Sequence, residues 1–509
     1  MKISSHRLKH HIFTSLSAIV LLGLTGCGVN STASTAAEVR ADTAQTAATE
    51  RPNILFILAD DHRWDMLGKY HPIVKTPNLD TLANNGTVFK NAFVTTPICA
   101  TSRVSILTGL TERTHDYTFQ QPTTGVVESA NMYPNLMRQD GYETAFVGKY
   151  EMRIAGDNAE RFDYFKPLLQ ARTEIYEGNE LPQTYYIAEL ANDFIEQSSQ
   201  NDKPWTMSVN FWNPHAHDFD TQDQFHYPEE FAGMYDDVVI PTARLSDDEV
   251  YDALPEFLKR SVARDRWKFR FATPEMYQKM VKRYYRAISS VDKAVGMIYD
   301  KLEAVGQADN TVIIYMGDNG FTLNERQLAG KWFGWDEALR VPLIIYDPRV
   351  KASAGNEINE FALNIDIPST ILALAGTETP ESYQGESLLP LLYQSADSQW
   401  RNEFFFEHMY QPSRVYIPPT VGIRTNKWKY VDFYKNGYEQ LYDLENDAGE
   451  EFNLIDNPQY RDTVQQLSAK VDDYIALYES QRSKEVKSRK SFINVRHADS
   501  TSTQGTNDE

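Results

Sequence analysis

The chain has 509 residues, of which 41% are hydrophobic and 24% charged, a composition typical of a globular protein with an extensive core. Its formal net charge of −21 argues against a nucleic-acid-binding protein, because such proteins normally present a basic surface. A locally basic pocket can exist in an acidic protein, so an anionic substrate is not excluded.

The N-terminus has the pattern of an export signal. Basic residues precede a mostly apolar run at residues 18–24, which is too short to span a membrane and leads into a lipobox-like Leu-Thr-Gly-Cys sequence at Cys27. We expect residues 1–27 to be a lipoprotein-type signal peptide, with a lipid on Cys27 as the only membrane attachment, on the periplasmic or outer side of the cell envelope. An ordinary cleaved signal peptide is the alternative. Residues 28–50, rich in Ser, Thr and Ala, predict a flexible tether.

The folded region is predicted to begin with a buried strand that ends in two carboxylates. Residues 54–59 are continuously apolar, a pattern typical of strands buried on both faces of an α/β sheet. Asp60 and Asp61 follow at the strand end, where open α/β sheets bind ligands. Adjacent carboxylates repel each other, so a shared divalent cation would explain the pair. An acidic pair in an ordinary loop is the alternative.

Cys99 is chemically conspicuous. The chain contains two cysteines, and if Cys27 carries a lipid, Cys99 has no disulfide partner within the chain. A helix that begins near Cys99 would bring Arg103 onto the same face. A helix N-terminus beside a guanidinium favours an anion, either a thiolate or a bound oxyanion. A buried structural cysteine is the competing interpretation.

Further strands and helices alternate along the chain. Strands are predicted at residues 144–147, 206–211, 311–316 and 341–346, and a long helix at residues 277–305. This alternation predicts an α/β fold with a mixed or parallel sheet flanked by helices.

The remaining segments define the predicted domains. Residues 217–275 are polar and irregular, which indicates an insertion beside the site. Short strand patterns and a closing helix predict a smaller C-terminal α+β subdomain, with an antiparallel sheet, at residues 401–482. The catalytic domain is expected at residues 51–400 and a disordered tail at residues 483–509.

A Gly-Asp-Asn-Gly segment also places oxygen-bearing side chains directly after a predicted buried strand, as at the end of the first strand. Asp318 and Asn319 follow the buried run at residues 311–316 and offer a carboxylate and an amide oxygen. Two such oxygen clusters, with no His/Cys pattern for zinc, favour calcium or magnesium. A plain β-turn is the alternative for this segment alone.

Taken together, these segments resemble the type I sulfatases of the alkaline phosphatase superfamily. In that family a Cys-x-Pro-x-Arg element followed by Thr-Gly directs oxidation of the cysteine to formylglycine. The chain has a similar element in Cys99 to Arg103 with Thr108-Gly109. The resemblance covers most of residues 51–480, and its other segments are Arg51-Pro52-Asn53 through Asp61, Thr76-Pro77-Asn78-Leu79-Asp80, Gly317-Asp318-Asn319-Gly320 and Leu441-Tyr442-Asp443-Leu444.

The resemblance implies a site with an unusual nucleophile and a metal ion. Cys99, converted by a formylglycine-generating maturation enzyme, would supply the nucleophile, and Arg103 would lie beside it. One calcium ion would be held by Asp60, Asp61, Asp318, Asn319 and the modified Cys99. Lys149, His215 and Lys331 resemble the family's basic contacts to the sulfate and the leaving group, and either His215 or Lys331 would be the general acid.

The chain departs from the family pattern at two positions. Thr101 stands where the family usually has proline, or alanine in some variants. Glu151 stands where the family often has a histidine that helps the aldehyde hydrate turn over. Either another residue replaces it, with His217 and His115 as candidates, or the site is reshaped for a particular substrate.

The expected function is therefore hydrolysis of a sulfate ester, on an algal-type sulfated polysaccharide or oligosaccharide. Ulvan, carrageenan, a glycosaminoglycan or a simple aryl sulfate all remain open as substrates. One alternative is a phosphodiesterase or phosphonate monoester hydrolase on the same fold. The other is an inactive lipoprotein that binds sulfated glycans.

Overall fold

The computed structural model describes residues 51–119, 121–393, 399–409 and 416–489, which lie in one compact unit. The predicted signal peptide, the tether and Cys27 lie outside these residues. Within the described ranges, no helix is both long enough and apolar enough to cross a membrane. The division into a catalytic domain and a C-terminal subdomain near residue 400 stays a prediction.

An eight-stranded sheet and a four-stranded sheet form the framework, with two short two-stranded ribbons. The strands in chain order are β1 (Asn53–Ala59), β2 (Thr87–Phe93), β3 (Glu143–Lys149), β4 (Tyr164–Leu168), β5 (Thr173–Tyr176), β6 (Asn179–Pro182), β7 (Trp205–Asn210), β8 (Thr311–Gly317), β9 (Thr322–Leu323), β10 (Ala329–Gly330), β11 (Leu343–Tyr346), β12 (Asn356–Leu363), β13 (Glu403–His408), β14 (Thr420–Thr425), β15 (Trp428–Phe433) and β16 (Tyr438–Asp443).

Helices connect these strands. The α-helices are Pro77–Asn85, Cys99–Thr108, Glu112–His115, Val126–Ala130, Tyr133–Gln139, Asn158–Arg161, Gln183–Ser198, Asp248–Asp252, Glu256–Lys259, Val262–Arg270, Pro274–Ala304, Asp336–Leu339, Asp366–Ala375, Leu389–Leu392, Arg461–Ser480 and Lys484–Ser488. The segment at residues 217–275 contains only short helices until the long helix Pro274–Ala304 begins at its end, in agreement with its irregular sequence pattern.

The large sheet is mixed, with strand order β12-β2-β11-β8-β1-β7-β3-β4. Strand β11 runs antiparallel to both of its neighbours, and the other pairs are parallel. The predicted α/β class and the five strand predictions within this sheet are confirmed. Strands β2, β4 and β12 lack a continuous apolar pattern, because their residues are partly exposed, and they were not predicted.

The apolar run of β1 reflects burial on both faces of the sheet. All seven of its residues are buried. Ile54, Phe56 and Leu58 pack into one hydrophobic cluster, whereas Leu55 and Ile57 pack into the cluster on the opposite face. Side chains alternate between the two faces of a strand, so a central strand covered by helices on both sides is apolar throughout.

The strand register brings polar residues from distant segments to one edge. Ala59 of β1 pairs in parallel with Gly317 of β8, so Asp60 and Asp318 leave their strands at the same level. The Asp318 N–H donates a hydrogen bond to the Ala59 carbonyl oxygen at 3.0 Å, which fixes this alignment. Strand β3 ends at the same edge with Lys149.

The C-terminal region forms the antiparallel sheet β13-β14-β15-β16, covered by helix Arg461–Ser480. Both were predicted. The tail predicted to be disordered begins instead with helix Lys484–Ser488, in which the Ser483 side chain accepts a hydrogen bond from the Val486 N–H and caps the first turn. Val486 is buried, which explains why this segment is ordered. Residues 490–509 lie outside the described residues.

A buried ion-pair network joins this small sheet to the rest of the fold. The ammonium of Lys429, on β15, contacts the carboxylates of Asp336 and Glu450, and all three side chains are buried. Arg424 on β14 also pairs with Asp336, at 3.3 Å. Breaking a buried pair leaves an uncompensated charge, so the network fixes the first residue of helix Asp336–Leu339.

Replacing Lys429 with alanine is expected to destabilise the protein by about 3 kcal/mol, because it leaves two buried carboxylates with fewer partners. The matched control is Lys427→Ala, which removes an exposed lysine paired with Glu445 and is expected to leave the Tm nearly unchanged. Thermal unfolding of both variants checks the prediction. Equal shifts in Tm would contradict it.

Candidate functional site

Cys99 is the first residue of helix Cys99–Thr108, as the sequence predicts. Its side chain is buried but lines a cavity of 790 Å³. Burial raises the pKa of the Cys99 thiol, although Lys149 and Lys331 act in the opposite direction. The thiol is therefore protonated at neutral pH and is a weak nucleophile without chemical modification.

Arg103 lies one turn after Cys99 on the same helix and holds three strand ends together. Its Nε donates to Asp318 Oδ2 at 2.8 Å, and its Nη1 donates to Asn210 Oδ1 at 2.9 Å and to the Lys149 carbonyl oxygen at 3.2 Å. Its buried Nη2 donates to no described residue. The two N–H donors of this nitrogen thus remain available for a ligand.

Three carboxylates meet at the carboxyl ends of β1 and β8. Asp60, Asp61 and Asp318 are all buried. The Asp61 N–H donates to Asp318 Oδ1 at 3.1 Å, and Asp61 adopts a left-handed backbone conformation with φ of 63°. Non-glycine residues rarely adopt this conformation, so the turn is strained in a way that points to function. Burial and the neighbouring Asp60 raise the pKa of Asp318 to about 7.

Two lysines compensate these carboxylates. Lys149 donates to Asp60 Oδ2, and Lys331 Nζ lies 2.5 Å from Asp61 Oδ1. Burial alone would lower the pKa of Lys149, but Asp60 and Cys99 raise it above its usual range. Burial would likewise lower the pKa of Lys331, but its carboxylate neighbours, Asp61 most strongly, raise it. Both ammonium groups are charged at neutral pH.

His215 joins the cluster from the loop that follows β7. Its Nε2 lies 3.8 Å from Asp61 Oδ2, and its side chain lines the cavity with Cys99 and Lys331. Burial lowers the pKa of His215 despite the attraction of Asp60. The imidazole is therefore neutral at pH 7.

The oxygen atoms of this cluster suit a divalent cation. Asp60 Oδ1 and Asn319 Oδ1 are buried and accept no hydrogen bond from any described residue. Asp60, Asp61 and His215 each offer a ligand atom within 4.8 Å of the others. Buried acceptors without donors are rare because leaving them unpaired costs about 1–3 kcal/mol each. Among the predicted ligands, Asp60, Asp61 and Asn319 therefore offer oxygen atoms that fit a calcium or magnesium ion. The oxygens of Asp318 accept hydrogen bonds from the Asp61 N–H and from Arg103, and the roles of Asp318 and Cys99 as ligands stay predictions.

The cavity is completed by the segment predicted to be an insertion beside the site. Residues 217–222 of that segment line it, together with Arg266. This part of the prediction is confirmed.

The two histidines proposed to replace the family residue at position 151 lie in different places. His217 lines the cavity and packs against His226 in a tilted arrangement, with ring centroids 3.6 Å apart. His115 is buried 3.0 Å from the Ser105 hydroxyl and is not among the residues that line the cavity. Glu151 lines the cavity with its carboxylate 3.5 Å from Lys149 Nζ.

Sequence reasoning missed Asn210, which is the last residue of β7 and binds the guanidinium of Arg103. Its signal was a polar side chain at the end of an apolar strand, the pattern that identified Asp60 and Asp318. Asp218, which lines the cavity and accepts hydrogen bonds from Arg266 and Arg270, was also missed. A carboxylate in a loop has no distinguishing local sequence pattern.

Comparison with known proteins gives consistent results. A family model described as "Sulfatase" matches residues 52–377, and one described as "N-sulphoglucosamine sulphohydrolase, C-terminal" matches residues 324–476. An N-acetylglucosamine-6-O-sulfatase of Bacteroides thetaiotaomicron is 27% identical over 490 residues, covering 83% of this chain and 86% of that protein. An ulvan-active sulfatase of Formosa agariphila is 27% identical over 457 residues, covering 84% of this chain and 81% of that protein.

Solved structures share the fold. A phosphonate monoester hydrolase of Agrobacterium radiobacter superimposes with a TM-score of 0.72 at 24% identity, covering 84% of this chain and 96% of that one. At this level of identity the likeness concerns the fold alone, since one fold supports several activities.

Proposed function

The chain belongs to the sulfatase family and is a sulfuric ester hydrolase; from that premise we propose that it removes sulfate from a sulfated saccharide, with a formylglycine made from Cys99 and one calcium ion. The observation that carries the proposal is that Cys99, which lines the cavity with Lys331 and His215, adjoins a buried cluster of three carboxylates and three cationic side chains. Each residue type matches a need of sulfate ester hydrolysis.

The charges of the site support binding of an anion together with a cation. Arg103, Lys149 and Lys331 balance the three carboxylates Asp60, Asp61 and Asp318. A divalent cation would then leave two positive charges, which favours the singly negative sulfate ester. Because these groups are buried, their interactions are stronger than they would be in water.

The modified residue and the ion would supply a hydroxyl nucleophile and Lewis-acid polarisation of the sulfuryl oxygens. Asp60, Asp61, Asp318 and Asn319 would hold the ion together with the modified Cys99. The free Nη2 of Arg103 would bind an oxygen of the sulfuryl group, and so would the ammonium of Lys149. Their fixed positions stabilise charge in the transition state without reorganisation.

Protonation of the leaving oxygen falls to Lys331 or His215. The raised pKa of Lys331 keeps a proton on its ammonium, which a saccharide alkoxide is basic enough to accept. His215 has a lowered pKa and would act as a neutral hydrogen-bond donor that orients the ester oxygen. Both side chains line the cavity, so both can reach the leaving group.

A saccharide is the proposed substrate class for two reasons. The relatives include enzymes whose names specify N-acetylglucosamine-6-O-sulfate and ulvan. The cavity volume of 790 Å³ lies in the upper range for small-molecule sites and exceeds what a sulfate group alone requires. Maturation of Cys99 by a formylglycine-generating enzyme and anchoring to the cell envelope through a lipid on Cys27 are parts of the same proposal, supported by sequence pattern.

The competing function is phosphodiester or phosphonate monoester hydrolysis, because such enzymes share the fold. The test compares kcat/KM for 4-nitrophenyl sulfate and for bis(4-nitrophenyl) phosphate at equal calcium concentration. We expect the sulfate to be preferred by at least ~100-fold, which corresponds to ~2.7 kcal/mol of activation free energy. A preference for the phosphodiester would overturn the proposed function.

A further inference from the structure

We propose that Phe219 forms an outer subsite in which an uncharged sugar ring, next to the sulfated one, packs against the aromatic face. The inference rests on the proposed saccharide sulfatase function and specifies its substrate as an oligosaccharide. It concerns the mouth of the cavity and not the residues that contact the sulfate.

Phe219 is the most exposed of the large hydrophobic side chains in the described part of the chain. It is fully exposed to solvent, whereas the cavity to which it belongs leads to Cys99. A single exposed apolar residue is common on protein surfaces. An aromatic ring at the entrance of a catalytic cavity is better placed to bind a ligand. Covering the ring with the apolar face of a ligand removes a large apolar area from water, which favours binding.

The loop that carries Phe219 is fixed on both sides of this residue. Asp218 accepts hydrogen bonds from Arg266 and, at 2.7 Å, from Arg270 Nη2. Asp220 pairs with Arg172 and lies 3.0 Å from His226 Nε2.

Backbone hydrogen bonds add to these anchors. The N–H groups of Gln222 and Asp223 donate to Asp220 Oδ1 at 3.1 and 2.9 Å. These contacts set the position of the backbone that carries the ring before a ligand arrives, so little backbone ordering entropy remains to be lost on binding.

The charges at the mouth favour an uncharged sugar in this position. The two arginines that line the outer cavity are compensated, Arg266 by Asp218 and Arg172 by Asp220. A second sulfate at this position would have to compete with these carboxylates for the two arginines. The C–H face of a pyranose ring, by contrast, buries apolar area on an aromatic ring while its hydroxyl groups stay hydrated.

Calorimetric titration of oligosaccharides tests the subsite independently of catalysis. Size-fractionated fragments of ulvan, carrageenan and heparan sulfate are titrated into protein with the Cys99→Ala substitution, so that no ligand is consumed. We expect at least one series to bind ~10-fold more tightly as a tetrasaccharide than as its sulfated monosaccharide, which corresponds to ~1.4 kcal/mol. Adding Phe219→Ala should reduce this difference to under ~2-fold, and Phe219→Tyr should retain it.

The matched control is Phe452→Ala, which removes another exposed phenylalanine from the C-terminal region and should leave all affinities unchanged. The inference is overturned if no series gains affinity with length, or if Phe219→Ala leaves the gain intact. Hydrolysis of 4-nitrophenyl sulfate, measured with Cys99 present, should be equal for the native chain and Phe219→Ala. If protein that retains Phe219 shows no gain of affinity with length but the native chain hydrolyses 4-nitrophenyl sulfate, the subsite alone is refuted. If the native chain does not hydrolyse 4-nitrophenyl sulfate, the proposed function is refuted.

Discussion

Replacing Cys99 with alanine is expected to lower kcat for sulfate ester hydrolysis by at least ~10⁴-fold, the scale seen when a catalytic nucleophile is removed. The reason is that no other residue in the site is placed to form the reactive group, and the unmodified thiol itself is held protonated by burial. Cys99→Ser should be equally inactive in a host whose maturation enzyme converts cysteine only. Turnover of 4-nitrophenyl sulfate by the purified variants provides the measurement.

The fold should survive this substitution, because Cys99→Ala removes one buried atom and most such changes cost only ~1 kcal/mol. Circular dichroism and Tm therefore serve as controls. Mass spectrometry of the tryptic peptide of residues 91–103 from the native host supplies the chemical check. It should carry an aldehyde in place of the thiol, despite Thr101 at the position where the family usually has proline. An active enzyme with an unmodified Cys99 would contradict this prediction.

Replacing Asp318 with asparagine is expected to abolish calcium binding and to lower kcat by at least ~10³-fold. The amide keeps the shape of the carboxylate but removes its charge from the cluster with Asp60 and Asp61. A ligand that binds only the folded state stabilises it, so calcium at 100 times its Kd should add ~2.7 kcal/mol to the native chain and nothing to the variant. Calcium-dependent Tm and equilibrium dialysis are the measurements.

Asp347→Asn is the matched control for this substitution. Asp347 is also a buried carboxylate paired with an arginine, since its Oδ2 lies 2.8 Å from Arg349 Nη2. It is not one of the predicted calcium ligands, so this variant should lose stability but keep its response to calcium. If Asp318→Asn responds to calcium as the native chain does, the proposed ion does not bind at Asp318.

The sequence alone was sufficient to predict the strands and helices that a local residue pattern encodes. Residues 54–59 and 311–316 are strands buried on both faces, and their continuous apolar runs report that burial directly. The proximity of Cys99 and Arg103 could also be predicted locally, because residues four apart in a helix share one face. The α/β class and the small C-terminal sheet also followed from such patterns.

The tertiary structure alone decided how these elements form a site. Asp60 and Asp318 are neighbours because β1 and β8 pair in parallel with Ala59 opposite Gly317, a register that no local pattern encodes. The role of Asn210 and the anchoring of the Phe219 loop depend on contacts between residues far apart in the chain. Such contacts arise only when the packed sheet and its helices fix the distances between segments, and the sequence pattern of each segment carries no information about them.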